Sequence, residues 1–199
     1  MSESSSRNEL IIVGGPNGSG KTTFAKEYLD AKEGEYVYLS ADEIAYEINP
    51  DEPASVRLQA GREFYNRFHD LIEKEKNLLI ESTLSGRSME NLITQMQSEY
   101  NYLVTLVFIF LDNEILCIER VKSRVRKGGH PIPKKDIIRR FGRSIVNFWD
   151  IYRYLADQWM IYYNTEDSFQ EVAHNTQDRM YVYDEPLFDL FKEIKTNYE

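Results

Sequence analysis

Gly15-Pro16-Asn17-Gly18-Ser19-Gly20-Lys21-Thr22 fits the pattern G-x-x-x-x-G-K-[ST]. The pattern is informative only in context, with a strand entering it and a helix leaving it. Both signals are present. Leu10-Ile11-Ile12-Val13 is a short apolar run that ends in Gly14-Gly15, as a buried strand would. From Lys21 to about Ala31 the residues read as a helix. Glycines let a backbone wrap an anion with its N–H groups pointing inward, and a helix N-terminus adds partial positive charge. Gly15, Pro16, Asn17, Gly18, Ser19, Gly20, Lys21 and Thr22, followed by Thr23, are therefore expected to cradle the phosphates of a nucleoside triphosphate. In such a loop the lysine serves the β/γ-phosphates and the hydroxyl after it takes a place on Mg²⁺, which assigns Lys21 and Thr22 those roles.

Working outward, strands alternate with helical patterns. Tyr36–Leu39, Leu78–Glu81 and Leu103–Leu111 read as strands, with Ser40 and Asp112 placed to cap the helices that come after them. Val56, Leu58, Phe64, Phe68, Leu71 and Ile72 roughly follow one helical stripe, and Ser88–Tyr100 and Asn113–Lys127 read as further helices. Gly128-Gly129-His130-Pro131-Ile132-Pro133 breaks the chain before a helix that carries Ile137, Ile138, Phe141, Ile145 and Phe148 inward. Three short strands near 159–163, 169–173 and 180–183 precede a closing helix at 186–195. Apolar strands alternating with helices predict a largely parallel sheet covered on both faces, an α/β three-layer fold. The expected organisation is a disordered tail at 1–8 and a single domain at 9–199, with a lid at about 120–143.

Composition narrows the function classes. The 199 residues are 42% apolar and 29% charged, ordinary globular usage. No apolar run approaches the ~20 residues that span a bilayer, and the N-terminus lacks an apolar signal core. The lone Cys117 fits a reducing compartment, and the expected location is cytoplasmic. His69 and His174 have no partner at metal-ligand spacing. A net charge of −9 argues against a nucleic-acid surface. Residues 120–143 nevertheless hold ten Lys/Arg against one acid, Asp136. That island reads either as an anion site or as two solvated helix faces. Asn164-Thr165-Glu166-Asp167 lacks the lysine of a guanine-reading N-K-x-D and reads as a turn, which favours ATP. Glu81 and Asp112 both follow apolar strands, so either fits the acidic residue that holds Mg²⁺ in motor ATPases.

Three features point to transfer rather than hydrolysis. Asp42 follows the second strand directly, at a carboxyl end where open α/β sheets bind ligands. There it acts either as a base toward an attacking hydroxyl or as a helix-start residue facing the dipole. Glu81-Ser82-Thr83, with Gly86-Arg87 beyond, suits a hydroxylated substrate, the alternative being a capped strand–helix turn. Arg120 and Arg124 lie four apart on one helix leading into the glycine–proline break, where a lid would bring guanidinium groups to the phosphoryl in flight.

This order also carries a family likeness. A phosphate loop, an aspartate after strand two, E-S-T-L-S-G-R at Glu81–Arg87 and R-V-x-x-G-G-H-x-I-P at Arg124–Pro133 resemble the zeta-toxin family of P-loop kinases, in its compact bacterial branch. The likeness covers roughly residues 8–165. It implies transfer of the ATP γ-phosphate, with Mg²⁺, to a hydroxyl of a small acceptor such as UDP-N-acetylglucosamine or a related nucleotide sugar. A small antitoxin protein is the implied partner. Lys21 and Thr22 match the phosphate loop, and Asp42 matches the catalytic base. Glu81, Thr83 and Arg87 match the acceptor-binding strand end, and Arg120 matches the first lid arginine. The family's second lid arginine precedes a Thr-Pro that this chain lacks, leaving Arg124, Arg126 or Arg140 to replace it. His130 either donates to the γ-phosphate or braces the lid turn. The reading from a different class is an ATP-binding regulatory protein whose nucleotide state switches a partner surface.

Overall fold

The computed structural model describes residues 7–129, 131–165, 168–176 and 179–199, so residues 1–6 of the tail, His130, Glu166, Asp167, Gln177 and Asp178 lie outside it. The apolar run before the glycine loop forms β1 (Glu9–Gly14), buried at every position after Glu9. It is flanked by β3 (Leu78–Ser82) and β4 (Leu103–Phe110), both parallel to it, with Ile11 level with Leu79 on one side and Thr105 on the other. β2 (Val37–Leu39) extends the sheet beyond β3, and β5 (Gln158–Asn164) pairs parallel to β4. Two antiparallel strands, β6 (Phe169–Thr176) and β7 (Arg179–Val182), complete the order β2-β3-β1-β4-β5-β6-β7.

Strand alternation sorts the core into two layers. Leu10 and Ile12 of β1, with Val104, Leu106, Phe108 and Phe110 of β4, point into the larger apolar cluster. Ile11 and Val13, with Val107 and Ile109, point into a smaller one on the opposite face. The helix after the glycine loop, α1 (Lys21–Ala31), covers that smaller face through Ala25, Phe24, Tyr28 and Leu29. The larger face takes α3 (Arg57–Glu73), α4 (Ser88–Ser98), α5 (Glu114–Arg126), α6 (Lys134–Asn147) and α8 (Glu185–Asn197). Both faces are therefore covered, and the architecture is three-layer α/β, as the alternation of apolar strands and helices predicts.

Several local readings change. A short α2 (Ala41–Ile48) follows β2, and Ser40 stands at its N-cap position without a side-chain cap bond. The start of α5 is capped by Asn113, whose side chain accepts from the backbone of Ile115 and Leu116, and not by Asp112. α3 is preceded by a separate 3₁₀ turn at Pro53–Val56, and Leu58, expected on its inner stripe, is 84% exposed. The buried face of α3 is Ala60, Phe64, Phe68 and Ile72, a strict i, i+4 row that excludes position 58. Ile138 is likewise exposed, because Ile137, Phe141 and Ile145 already fill the inner row of α6. α6 runs on into a π-helical turn at Phe148–Tyr152 and a short α7 (Arg153–Leu155). At the other end of the chain, Arg7 donates to the carbonyls of Asn101 and Tyr102, and Leu103 N–H donates to the Asn8 carbonyl. Among the described residues no helix is long and apolar enough to cross a membrane.

Candidate functional site: the loop after β1

The loop between β1 and α1 is built by close backbone approaches. Gly18 has φ 84° and would place a Cβ 2.7 Å from the Cys117 carbonyl of α5. Gly20 has φ 97° and would place one 2.2 Å from Nδ2 of Asn164. Side chains are excluded at both positions by strain and by contact. Asn164, the last residue of β5, donates from that amide to the Ser19 carbonyl at 2.6 Å and pins the loop from the side. Ser19 Oγ is buried without a hydrogen-bond partner in the described structure.

Lys21 opens α1 and is buried. Its Nζ donates to the Gly15 carbonyl at 2.9 Å and the Pro16 carbonyl at 2.8 Å, so the ammonium lies inside the loop it serves. Burial pushes its pKa below the ordinary lysine value, and the Arg124 charge adds to this, while Glu81 and Asp42 pull the other way. Thr22 Oγ1 donates to Glu81 Oε2 at 3.1 Å. The other Glu81 oxygen, Oε1, accepts from the Tyr38 hydroxyl of β2. A hydroxyl and a carboxylate oxygen side by side are hard donors that suit Mg²⁺ held mainly by phosphates and waters, as in phosphoryl-transfer sites. Asp42 lies in the first turn of α2, exposed, near enough to act on the Lys21 charge.

The basic island meets this loop through Arg140 and Arg124. Arg140 of α6 donates from Nη1 to Asn17 Oδ1 at 3.3 Å. Arg124 of α5 acts on Lys21 electrostatically, and its side chain packs on Gly129 so closely that a Cβ there would come within 2.6 Å. Arg120, one turn earlier, donates to the carbonyls of Asn164 at 3.4 Å and Thr165 at 3.3 Å. A pocket of about 430 Å³ opens beside it, lined in part by Asp112, Leu116, Arg120, Tyr163, Asn164 and Thr165. Tyr46 of α2 donates to the Gly128 carbonyl at 3.3 Å, joining the Asp42 helix to the turn after α5.

The loop after β3 is held from α6 and its π turn. Leu84 adopts φ 53° while 2% exposed, lying so close to Gly14 that a Cβ there would meet its Cδ1 at 2.4 Å. Asn147 donates to the Leu84 carbonyl at 2.9 Å, and the Tyr152 hydroxyl to the Gly86 carbonyl at 2.6 Å. Thr83 Oγ1 and Ser85 Oγ lie 2.9 Å apart, partly buried. Arg87 is not drawn in: its side chain is 74% exposed and pairs with Glu90 at 3.5 Å. The structure thus gathers Lys21, Thr22, Glu81, Arg124 and Arg140 around one loop and leaves Arg87 apart.

Four contributors are not legible in the sequence as site residues. There Tyr38 reads only as part of a strand, Asn164 only as part of a turn, and Asn147 and Tyr152 carry no motif. Each acts by a contact spanning many positions, the longest being the 145 residues between Asn164 and Ser19. Cys117 is buried under the loop, where burial pushes its thiol up to about 12, so a catalytic thiol has no support.

Comparison with known proteins agrees with this fold. An uncharacterized protein of Haemophilus influenzae is 35% identical over 135 residues, covering 67% of this chain and 91% of its own. The solved structure of the PezAT chromosomal toxin–antitoxin system of Streptococcus pneumoniae superposes with a TM-score of 0.72 at 20% identity, over 98% of this chain and 86% of that one. The AvrRxo1-ORF1:AvrRxo1-ORF2 complex with ATP gives a TM-score of 0.74 at 16% identity, over 96% of this chain. This chain spans only 64% of the AvrRxo1 chain it matches. At these identities the two structures share the fold, a kinase-like P-loop α/β sheet. The family model described as an AAA domain, AAA_33, matches residues 10–140. With most of its length under that model, the chain belongs to the AAA_33 family of P-loop AAA domains.

Proposed function

We propose that this chain is an ATP-dependent kinase that transfers the γ-phosphate to a hydroxyl of a small acceptor. The observation that carries the reading is the convergence on one loop of Lys21, the Thr22–Glu81 pair and Arg140, with Asp42 facing the same charge from α2. ATP phosphates fit the loop, whose buried Ser19 hydroxyl has no partner among the described residues. The pocket beside Arg120 suits the adenine, with the Asn164 and Thr165 carbonyls as acceptors at its wall. Thr22 and Glu81 would hold Mg²⁺, which when bound neutralises charge on the phosphates. This places Glu81 on the metal side of the site and leaves Thr83 and Ser85 to meet the acceptor.

Asp42 is proposed as the base that orients the acceptor hydroxyl and takes its proton. Arg124 and Arg140 supply positive charge to the phosphoryl group in flight, Arg120 stays on the Asn164 and Thr165 carbonyls beside the adenine, and 120–143 acts as the lid of a single domain. The resemblance to zeta toxins makes a nucleotide sugar of the UDP-N-acetylglucosamine kind the first acceptor to test, and a small antitoxin the first partner. The fold likeness to a toxin–antitoxin structure supports looking for the partner. The test is to incubate ATP, Mg²⁺ and the protein with a metabolite extract and follow new phosphorylated species by mass spectrometry. One new phosphorylated metabolite supports the kinase. ATP binding without any transfer would instead make the chain a nucleotide-dependent switch.

A further inference from the structure

Two tyrosines flank the start of β2, and each gives its hydroxyl to a carboxylate. Tyr36 donates to Glu9 at the amino end of β1, and Tyr38 donates to Glu81 at the carboxyl end of β3. Only the second pair stands at the nucleotide end of the sheet. Its geometry follows from register. β2 and β3 pair parallel with Tyr38 level with Leu79, so Glu81, two residues on, projects from the same face. That face is the one covered by α1, where Leu79, Val13 and Ala25 form the smaller apolar cluster with Tyr38 packed against it. A carboxylate at position 81 therefore emerges beside the first turn of α1, within reach of Thr22.

We propose that Tyr38 is a positioning residue for the metal side of the site: its hydroxyl fixes one Glu81 oxygen so that the other stays on Thr22. This deepens the function proposed above and rests on its placement of Mg²⁺ at Thr22 and Glu81. Without Tyr38 the carboxylate would keep one restraint, from a threonine whose own hydroxyl is needed by the metal. Tyr38 touches neither phosphate nor metal and acts only through Glu81. Partners of this kind orient a ligating group, and their loss commonly costs 10–100-fold in metal affinity.

The experiment compares Tyr38→Phe, Glu81→Gln, their double variant and Tyr36→Phe in the full chain. A fluorescent ADP analogue is titrated with the protein in EDTA and at rising Mg²⁺, beside melting temperatures. Tyr38→Phe is expected to raise the Mg²⁺ needed for half-maximal tightening by about 10-fold or more. Its affinity in EDTA should stay within about twofold of wild type, and Tyr36→Phe should leave the Mg²⁺ requirement unchanged. Because Tyr38 acts through Glu81, the double variant should need no more Mg²⁺ than Glu81→Gln alone. An unchanged Mg²⁺ requirement in Tyr38→Phe overturns the proposal, as does a loss of affinity equal with and without Mg²⁺, which would make Tyr38 a packing residue. A wild-type protein that transfers no phosphate would defeat the kinase reading, whereas these binding curves decide the Tyr38 role by themselves.

Discussion

Thr22 Oγ1 of α1 donates to Glu81 Oε2 of β3 across 3.1 Å, joining the loop's helix to the end of the neighbouring strand. Residues 59 apart in sequence meet because β1 and β3 are adjacent and parallel, with Val13 level with Glu81. From this contact Glu81→Gln should weaken nucleotide binding in Mg²⁺ while leaving binding in EDTA nearly unchanged. Calorimetry under both conditions checks it. If Glu81→Gln instead spares Mg²⁺-dependent binding and weakens only the acceptor, Glu81 belongs to the acceptor pocket.

Lys21 lies folded onto the Gly15 and Pro16 carbonyls, within the loop. The role proposed for its charge is toward phosphate, and the apolar clusters on either face of the sheet form without it. Lys21→Ala is therefore expected to abolish ATP turnover while the circular dichroism spectrum stays that of wild type. Wild-type turnover by the folded variant would remove the loop from the phosphate site.

Much of this is legible in the sequence and some is not, for identifiable reasons. The glycine loop, the apolar β1 and the strand–helix alternation each depend on neighbours in the chain, and together they foretell a three-layer sheet. Leu58 and Ile138 are misplaced by pattern alone because an apolar residue beside an amphipathic row need not belong to it; the i, i+4 row decides. Asn113 displaces Asp112 as the cap because either residue type can cap, and only the backbone angle selects one. Asn164 and Tyr38 take their roles from strand order and register, which no local pattern encodes.

Arg140 donates to Asn17 from the far side of the loop. Proposed, with Arg124, as a source of charge for the phosphoryl group, it should act on the transition state. Arg140→Ala is expected to lower kcat by about 10³ or more, the lower range for arginine fingers, with ATP affinity within a few-fold. Steady-state kinetics beside equilibrium binding separates the two. Weaker ATP binding at unchanged kcat would make Arg140 a ground-state contact.

Asn147 and Tyr152 hold the Leu84–Gly86 backbone from the end of α6 and its π turn. Tyr152→Phe removes the hydroxyl that meets the Gly86 carbonyl and keeps the ring, which is buried in the core. The expected result is a raised KM for the acceptor with the KM for ATP unchanged. A uniform loss of stability without that split would reduce the contact to packing.

The choice between kinase and switch rests on Asp42, at the start of α2. Asparagine at this position keeps the size and part of the hydrogen bonding but cannot take a proton. The decisive measurement is single-turnover phosphoryl transfer by wild type and Asp42→Asn to the acceptor found in the metabolite screen, with ATP affinity measured for both. The account predicts that transfer falls by about 10²–10⁴ while ATP affinity holds. Transfer within about threefold of wild type, far short of that range, would contradict it.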